Sequence, residues 1–425
     1  MIRLLIISDD FTGALDTGVQ LAASGAVTKV VTDPTADLKS VGAGCEVLVI
    51  DAETRHLTPN GAYKVVYEIV GQASKLGVPY IYKKTDSALR GNIGAELTAV
   101  LDASGAKQLP FLPAFPQIGR STVDGVHYID DVPVAQSVFG TDPFEPVKHS
   151  NISLLISEQS DTKVQSFPPL NSHTPLPNES GIQIYDAKTL DELVLTGKRL
   201  LEEGQLHIMA GCAGFGAVLP ELLGIGSGTP IARPKLDPWL LVVCGSVNPI
   251  TAQQLDNAEK NGFVRLRLTP EQKLENGYWE TPKGQAEFDA MRRIVEQAPC
   301  CILDTNDSEG NKLTADYADE KGMDIDDIRL GASRSIGCLV SRLFSSPALG
   351  TLLITGGDTL LQCMDYMGVY EMTPICELEV GVVLSSFCYG GCKRYILSKS
   401  GGFGCPELLT NLSKQLSENT HHTGG

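Results

Sequence analysis

The chain opens with "MIRLLIISDDFTGALDTG" (residues 1–18), a greasy run that closes on two adjacent acids before small residues take over. The apolar stretch Ile2–Ile7 is too short for the core of a signal peptide, and acids stand where a cleavage site would need small residues. It predicts a buried first strand, then a glycine turn at Gly13 and a helix from about Ala14. Asp9 and Asp10 would then lie at the carboxyl end of a strand, where open α/β sheets gather ligands. Carboxylates there can accept hydrogen bonds from sugar-type hydroxyls, or one can take a proton. The plainer alternative has Asp10 capping the turn and Asp9 facing solvent.

The rhythm of the opening repeats. "KVVT", "EVLVID", "YIYKKTD" and "QLPFLPA" read as strands, with helical patterns from Ala14, Asn60 and Asn92. In "NIGAELTAVLDASG", Ile93, Leu97, Val100 and Leu101 share one helical face, with Asn92 able to cap and Gly105 able to end the helix. Such alternation is the mark of βαβ units and a parallel sheet. The Pro/Asn/Ser-rich stretch Phe167–Ser180 reads as a surface loop, and "GIGSGTPIARPKLDP" (Gly224–Pro238) is the best linker. The α/β rhythm then restarts at "WLLVVCGSVNPITAQQL", and residues from about Ser417 read as a frayed polar tail. The 425 residues suit two domains, 1–235 and 236–425. Each is expected to be α/β, a largely parallel sheet flanked by helices, with the active site in the interdomain cleft.

Composition narrows the function classes. Acids number 51 against 34 Lys and Arg, a net charge of −17, which argues against a nucleic-acid partner. No apolar run is long enough to span a bilayer, so a cytoplasmic protein without a membrane partner is expected. Eleven cysteines without a secretion signal predict reduced thiols. Cys388 and Cys392 in "SFCYGGCKRY" lack zinc spacing and a nearby histidine, so no protein-held metal is expected.

Chemistry-bearing residues gather at predicted strand ends. "YKKTDSALRGNIG" brings Lys83, Lys84, Asp86, Ser87 and Arg90 between a strand and a helix, while Arg55 and Arg120 each follow another strand. In so acidic a chain, basic residues at successive strand ends suggest a local anion site, although each alone is commonly a surface ion-pair partner. The second half carries three glycine turns between strand and helix: Gly245-Ser246, Gly356-Gly357-Asp358-Thr359, and Gly401, Gly402 and Gly404. Glycine lets backbone approach a phosphate, and a helix start directs free N–H groups at it. One such turn can be geometry alone; three favour a nucleotide or other phosphate ligand. No G-x-x-x-x-G-K-[ST] is present, nor a G-x-G-x-x-G between strand and helix, since "GCAGFGAVL" lacks the spacing.

In combination, "SDDFTGALDTG", "KKTDSALRGNIGAEL", "LPAFPQIGR" with "DGVHYI" and "DPFEPV", "CGSVNPITAQQL", "TGGDT" and "SKSGGFG" resemble the four-carbon acid sugar kinases, in order along nearly the whole chain. The resemblance implies an N-terminal sugar-acid-binding domain, a C-terminal nucleotide-binding domain, and ATP-dependent phosphorylation of the 4-hydroxyl of threonate, erythronate or 3-oxotetronate. Asp10, Arg55, Lys83, Lys84, Thr85 and Asp86 match the family's substrate-contacting motifs, with Arg90 adjacent. Ser246, Gly356, Gly357, Asp358, Thr359, Gly401 and Gly402 would hold ATP, with Mg²⁺ bridging its phosphates. Asp358 is the first candidate for base or indirect metal ligand, with helix capping as its alternative role, and Asp86 and Asp10 follow. The opening departs from many members, which have Ala before the aspartates and Leu after them, and Cys212 stands where Ser is usual. An NAD-linked sugar-acid oxidoreductase or a non-catalytic metabolite sensor are the competing readings, and a homodimer is one option for assembly.

Overall fold

The computed structural model describes residues 1–142, 144–171, 174–226, 228–308, 310–345 and 349–418. Pro143 of "DPFEPV", Ser172 and His173 of the polar loop, Ser227 of the linker and the tail beyond residue 418 lie outside the described residues. The chain divides into two compact units, Met1–Ile231 and Ala232–Gly425.

The first unit has β1 (Leu4–Ser8), β2 (Thr28–Val31), β3 (Val47–Asp51), β4 (Tyr80–Lys84), β5 (Gln108–Leu112), a small antiparallel sheet β6 (Arg120–Val123), β7 (Val126–Ile129) and β8 (Val132–Pro133), then β9 (Val164–Phe167), β10 (Gly181–Tyr185) and β11 (Ile208–Gly211). Its main sheet runs β2-β3-β1-β4-β11-β5-β10-β9, every pair parallel. β1 and β3 are buried along their whole length, as strands covered by helices on both faces must be. On one face Leu5, Ile7, Leu48 and Ile50 pack in one core with Val66, Ile69 and Val70 of helix Pro59–Leu76 and Leu97 and Val100 of helix Ile93–Ser104.

Two local expectations change. The first helix begins at Phe11, because Asp10 is its N-cap and accepts from the Gly13 N–H at 3.1 Å; Gly13 therefore lies inside the first turn, not in a turn before it. Asn92 stands at the N-cap position of its helix but makes no side-chain cap bond: its Nδ2 donates instead to the carbonyls of Thr54 and Leu57, both at 2.8 Å. Gly105, at φ 67°, does end that helix.

The second unit has β12 (Leu240–Cys244), β13 (Val264–Arg267), β14 (Cys300–Asp304), β15 (Thr351–Thr355), β16 (Glu371–Glu379), β17 (Val382–Tyr389) and β18 (Cys392–Lys399). Strands β13-β14-β12-β15-β18 are parallel, and β17 and β16 extend the sheet as an antiparallel meander. All eleven cysteines are free, with Cys388, Cys392 and Cys405 exposed. No described helix is long and apolar enough to cross a membrane.

The small sheet is pinned to the first unit by His127, which is wholly buried. Burial pushes its pKa down to about 4, so at neutral pH the ring is uncharged. A carbonyl can only accept, so Nε2–H donates to the Ser87 oxygen (2.9 Å) and Nδ1 accepts from the Thr122 hydroxyl (3.1 Å). A histidine held neutral stabilises the fold fully above pH 6.5, and that contribution is lost as pH falls toward 4. His127→Gln keeps a donor for Ser87 without titrating. Urea denaturation at pH 7 and pH 4.5 should show the variant gaining roughly 2–3 kcal/mol on the parent over that interval. A gap that stays constant would mean the ring charges freely in the fold.

Candidate active site

Register fixes where the loops of the first unit begin. Ser8 is paired with Asp51 on one side and Lys84 on the other, and Gly211 with both Lys84 and Leu112. Five parallel strands therefore end in one row, and the loops that follow open at one level of the sheet. Those loops carry Asp9 and Asp10, Arg55, Asp86 and Arg90, Arg120, and Cys212.

At the centre of the row the Arg55 guanidinium is buried among carboxylates. Its Nε donates to Asp9 Oδ2 at 2.8 Å, and Nη2 lies 2.7 Å from the same oxygen, 2.8 Å from Asp10 Oδ1 and 3.6 Å from Asp86 Oδ1. Asp9 is only 2% exposed, so it does not face solvent as the simpler alternative had it. Its backbone oxygen also accepts from the N–H groups of Thr54 and Arg55, while Asn92 grips the same loop from beneath. Lys84 Nζ completes the group, 3.6 Å from Asp9 and 3.8 Å from Asp10. Asp86 organises its own loop. Its Oδ2 accepts from the N–H groups of Ala88 and Arg90 and from Arg90 Nε, and its Oδ1 accepts from Arg90 Nη2 at 2.9 Å. Leu89 takes φ 64° to make this turn, a cost a side-chain-bearing residue bears mainly at constrained sites. Arg90 also reaches Asp142 at 3.3 Å.

The neighbouring charges set the carboxylates' ionisation. Burial would raise the Asp10 pKa, but Arg55 and Lys84 outweigh it and bring it down to about 2. Against the same burial, Arg90 and Arg55 hold Asp86 well below its ordinary value. Both stay ionised across the neutral range. Lys83 and Thr85 stand apart from this group. Lys83 is fully buried, donating to the Lys84 carbonyl at 2.7 Å and paired with the equally buried Glu96 at 2.9 Å. Thr85 is also fully buried, its N–H bound to the Gly211 carbonyl.

The same logic of register operates in the second unit, where Asp304, Cys244, Thr355 and Lys399 form a row of strand ends. The glycine turns after β12, β15 and β18 converge. A Cβ on Gly245 would meet Thr359 Oγ1 at 1.7 Å, one on Gly356 would meet Ser246 N at 3.3 Å, and one on Gly401 would meet Ser246 Oγ at 2.6 Å. Gly356, at φ 108°, is the N-cap of helix Gly357–Met367 and offers it no side-chain cap. Asp358 therefore does not cap: it sits in the first turn and accepts from Arg329 Nη1 at 3.0 Å. Asn248 caps the neighbouring helix Pro249–Lys260, and Asn306 Nδ2 holds the Ser246 carbonyl at 3.1 Å. The buried Lys399 ammonium donates to the Ser400 carbonyl and to Thr251. Gly402 stands beside Asn248, its own Cβ position 3.6 Å from Nδ2. Among the described residues no group of three or more His, Cys, Asp or Glu side chains is arranged to hold a metal.

Residue types alone did not single out Glu96, Asn248, Asn306, Asp142 or Lys399, and read Asn92 only as a helix cap. Gly13, read as a turn, has a further part: a Cβ there would fall 2.1 Å from Lys84 Nζ and 2.5 Å from Asp10 Oδ1. The ammonium is the end of a flexible chain and can swing away, whereas alanine favours a helix by about 1 kcal/mol over glycine. Gly13→Ala would also crowd Asp10 Oδ1, the helix cap held by Arg55, so it should lower the melting temperature and bind the first unit's ligand at least about tenfold more weakly, by loss of a charged contact. Equal affinity in titration calorimetry would show that Lys84 has no part in the site.

Comparison with known proteins agrees with this layout. Residues 4–219 match the family model described as a sugar-binding N-terminal domain, and residues 241–409 the one described as a nucleotide-binding C-terminal domain. The chain is 26% identical to a D-threonate kinase of Salmonella typhimurium, over 98% of this chain and 99% of that protein. It is 30% identical to a D-erythronate kinase of Heliobacterium modesticaldum over 61% of each, and 23% identical to a 3-oxo-tetronate kinase of Pseudomonas savastanoi over 97% and 96%. In fold it is similar to a crystal structure of a Haemophilus influenzae protein (TM-score 0.65, 18% identity, covering 97% of this chain and 99% of that one). By the two family models, which together cover most of its length, the chain belongs to the four-carbon acid sugar kinase family.

Proposed function

We propose that the chain transfers the γ-phosphoryl group of ATP to the terminal 4-hydroxyl of a four-carbon sugar acid of the threonate, erythronate or 3-oxotetronate type. The observation that carries this reading is the contrast between the two rows of strand ends. The first presents ionised carboxylates fixed by buried cations, suited to a small polyhydroxy acid; the second presents bare glycine backbone and an uncapped helix start, suited to phosphates. The first unit is accordingly the sugar-acid-binding domain and the second the nucleotide-binding domain.

The residues fit a nucleotide: Gly245 and Gly401 have no room for a Cβ, Gly356 has little, and the first-turn N–H groups of helix Gly357–Met367 have no side-chain cap. Ser246, Gly356, Gly357, Thr359, Gly401 and Gly402 would hold the phosphates. Mg²⁺ is commonly held by one or two carboxylates together with phosphate oxygens, and Asp358 is the acid placed for that, sharing itself with Arg329. ATP with Mg²⁺ supplies the activated phosphoryl group and neutralises charge that builds on it in transfer. In the first unit, Asp10 accepts from hydroxyls of the acid while Lys84, Arg55 and Asp86 fix its position. Asp10 and Asp86, held ionised by their cations, orient rather than remove the proton; Asp358 is the remaining candidate base, and it too is paired with a cation, Arg329. Transfer requires the acceptor oxygen and γ-phosphorus to meet at about 3–3.5 Å in line.

A coupled ADP-release assay with Mg-ATP against D- and L-threonate, D- and L-erythronate and 3-oxotetronate tests the reading. Turnover with one acid well above the rest is expected; silence across the panel, with ATP binding intact, would overturn it. Gly401→Val should raise the KM for ATP at least about tenfold by crowding Ser246 while sparing that of the acid, since a lost charged hydrogen bond is worth that much. The opposite pattern would reverse the assignment of the two units.

A further inference from the structure

The cations of the first unit's row are not equivalent. Arg55 is compensated by Asp9, Asp10 and Asp86, Lys84 by Asp9 and Asp10, Arg90 by Asp86 and Asp142, and Lys83 by Glu96. Leaving out the closed Lys83–Glu96 pair, four acids face three cations, a formal charge of −1. An anionic substrate entering that set alone would be repelled. Yet the family's substrates are acids, so a positive charge must come from elsewhere.

Arg120 is that charge. It is 8% exposed, yet its Nε is buried without a hydrogen-bond partner among the described residues. Nη1 donates to the Ile118 carbonyl at 3.1 Å, and the only described carboxylate within ion-pair distance is Asp130, 3.8 Å away and 77% exposed, a solvated contact of little worth. No described residue accepts from Nη2. Burial lowers its pKa, the mark of a cation lacking adequate compensation. Its backbone is fixed, N–H and carbonyl both bonded to Phe115 at the start of β6. Its guanidinium lies 5.5 Å from the centre of the Phe139 ring, and that of Arg90 lies 5.3 Å from the same ring. Two guanidiniums on one ring, that of Arg120 buried and that of Arg90 half-buried against Asp86, make a place whose missing member is an anion.

Resting on the kinase reading above, we propose that Arg120 binds the carboxylate of the sugar acid and thereby sets which end of it is buried and which is phosphorylated. Arg55, by contrast, already shares its charge among Asp9, Asp10 and Asp86. The fork of Arg120, with Nε and Nη2 open, matches the planar carboxylate.

The test compares the preferred acid with its uncharged C1 carboxamide in the wild type, Arg120→Gln and Arg120→Lys. Arg120→Gln should raise the KM for the acid about 10- to 100-fold, with the KM values for the amide and Mg-ATP moving less than about twofold, the span expected for a hydrogen bond to a charged group. Arg120→Lys, which keeps the charge if the glutamine variant fails to fold, should show a smaller rise confined to the acid. Equal rises for acid and amide would make Arg120 structural and overturn the proposal. So would an unchanged KM for the acid, or a loss of kcat alone, which would move the anion to the transferred phosphoryl group. Wild-type silence with every acid would overturn the kinase reading itself, and this assignment with it.

Discussion

A buried guanidinium among three carboxylates is the constraint on which the first unit's site depends. Arg55 joins loops that leave three different strands, those carrying Asp9 and Asp10, Arg55 itself, and Asp86. Like charges brought this close repel strongly unless a cation sits among them. Deleting that cation would strand buried charges, a penalty of roughly 3–5 kcal/mol. Loss of Arg55 would therefore dismantle the site rather than subtract one contact, and a large effect of its removal says little about direct contact with substrate. The arrangement is rigid before ligand arrives, with the acceptors already ionised and oriented.

Both units reach their sites by one device. Parallel strands ending in register deliver their loops to one level, so residues remote in sequence become neighbours. What differs is the content of the loops. In the first they carry charged side chains that pair with one another; in the second they carry glycines whose missing Cβ atoms let the Gly356 and Gly401 turns close on Ser246. The two chemistries match the two halves of phosphoryl transfer, holding a hydroxyl-bearing acceptor and cradling a phosphate donor.

Much of this was legible in the sequence, for physical reasons. Strand–loop–helix alternation made the α/β layers readable, and acids or glycines directly after apolar runs marked the strand ends. Residue type could not tell which charges were already spent. Lys83 and Lys84 are adjacent and identical in kind, yet one is sealed against Glu96 and the other reaches Asp9 and Asp10. Arg120 stood out only as a cation after a strand, and its unmet hydrogen-bonding capacity is a three-dimensional fact. Gly13 read as a turn because glycine commonly makes one; its role as clearance for Lys84 depends on a strand far along the chain. The antiparallel β16–β17 meander was also not foreseen, since its long alternating strands carry no separate signature of direction.

The most direct measurement is a crystal structure of the full chain with the preferred acid bound and no nucleotide. The account predicts the acid in the first unit, with hydroxyls on Asp10 and Lys84 and its carboxylate on Arg120. Finding the acid instead against Ser246 and the Gly356 and Gly401 turns, with the Arg55 cluster unoccupied, would contradict it.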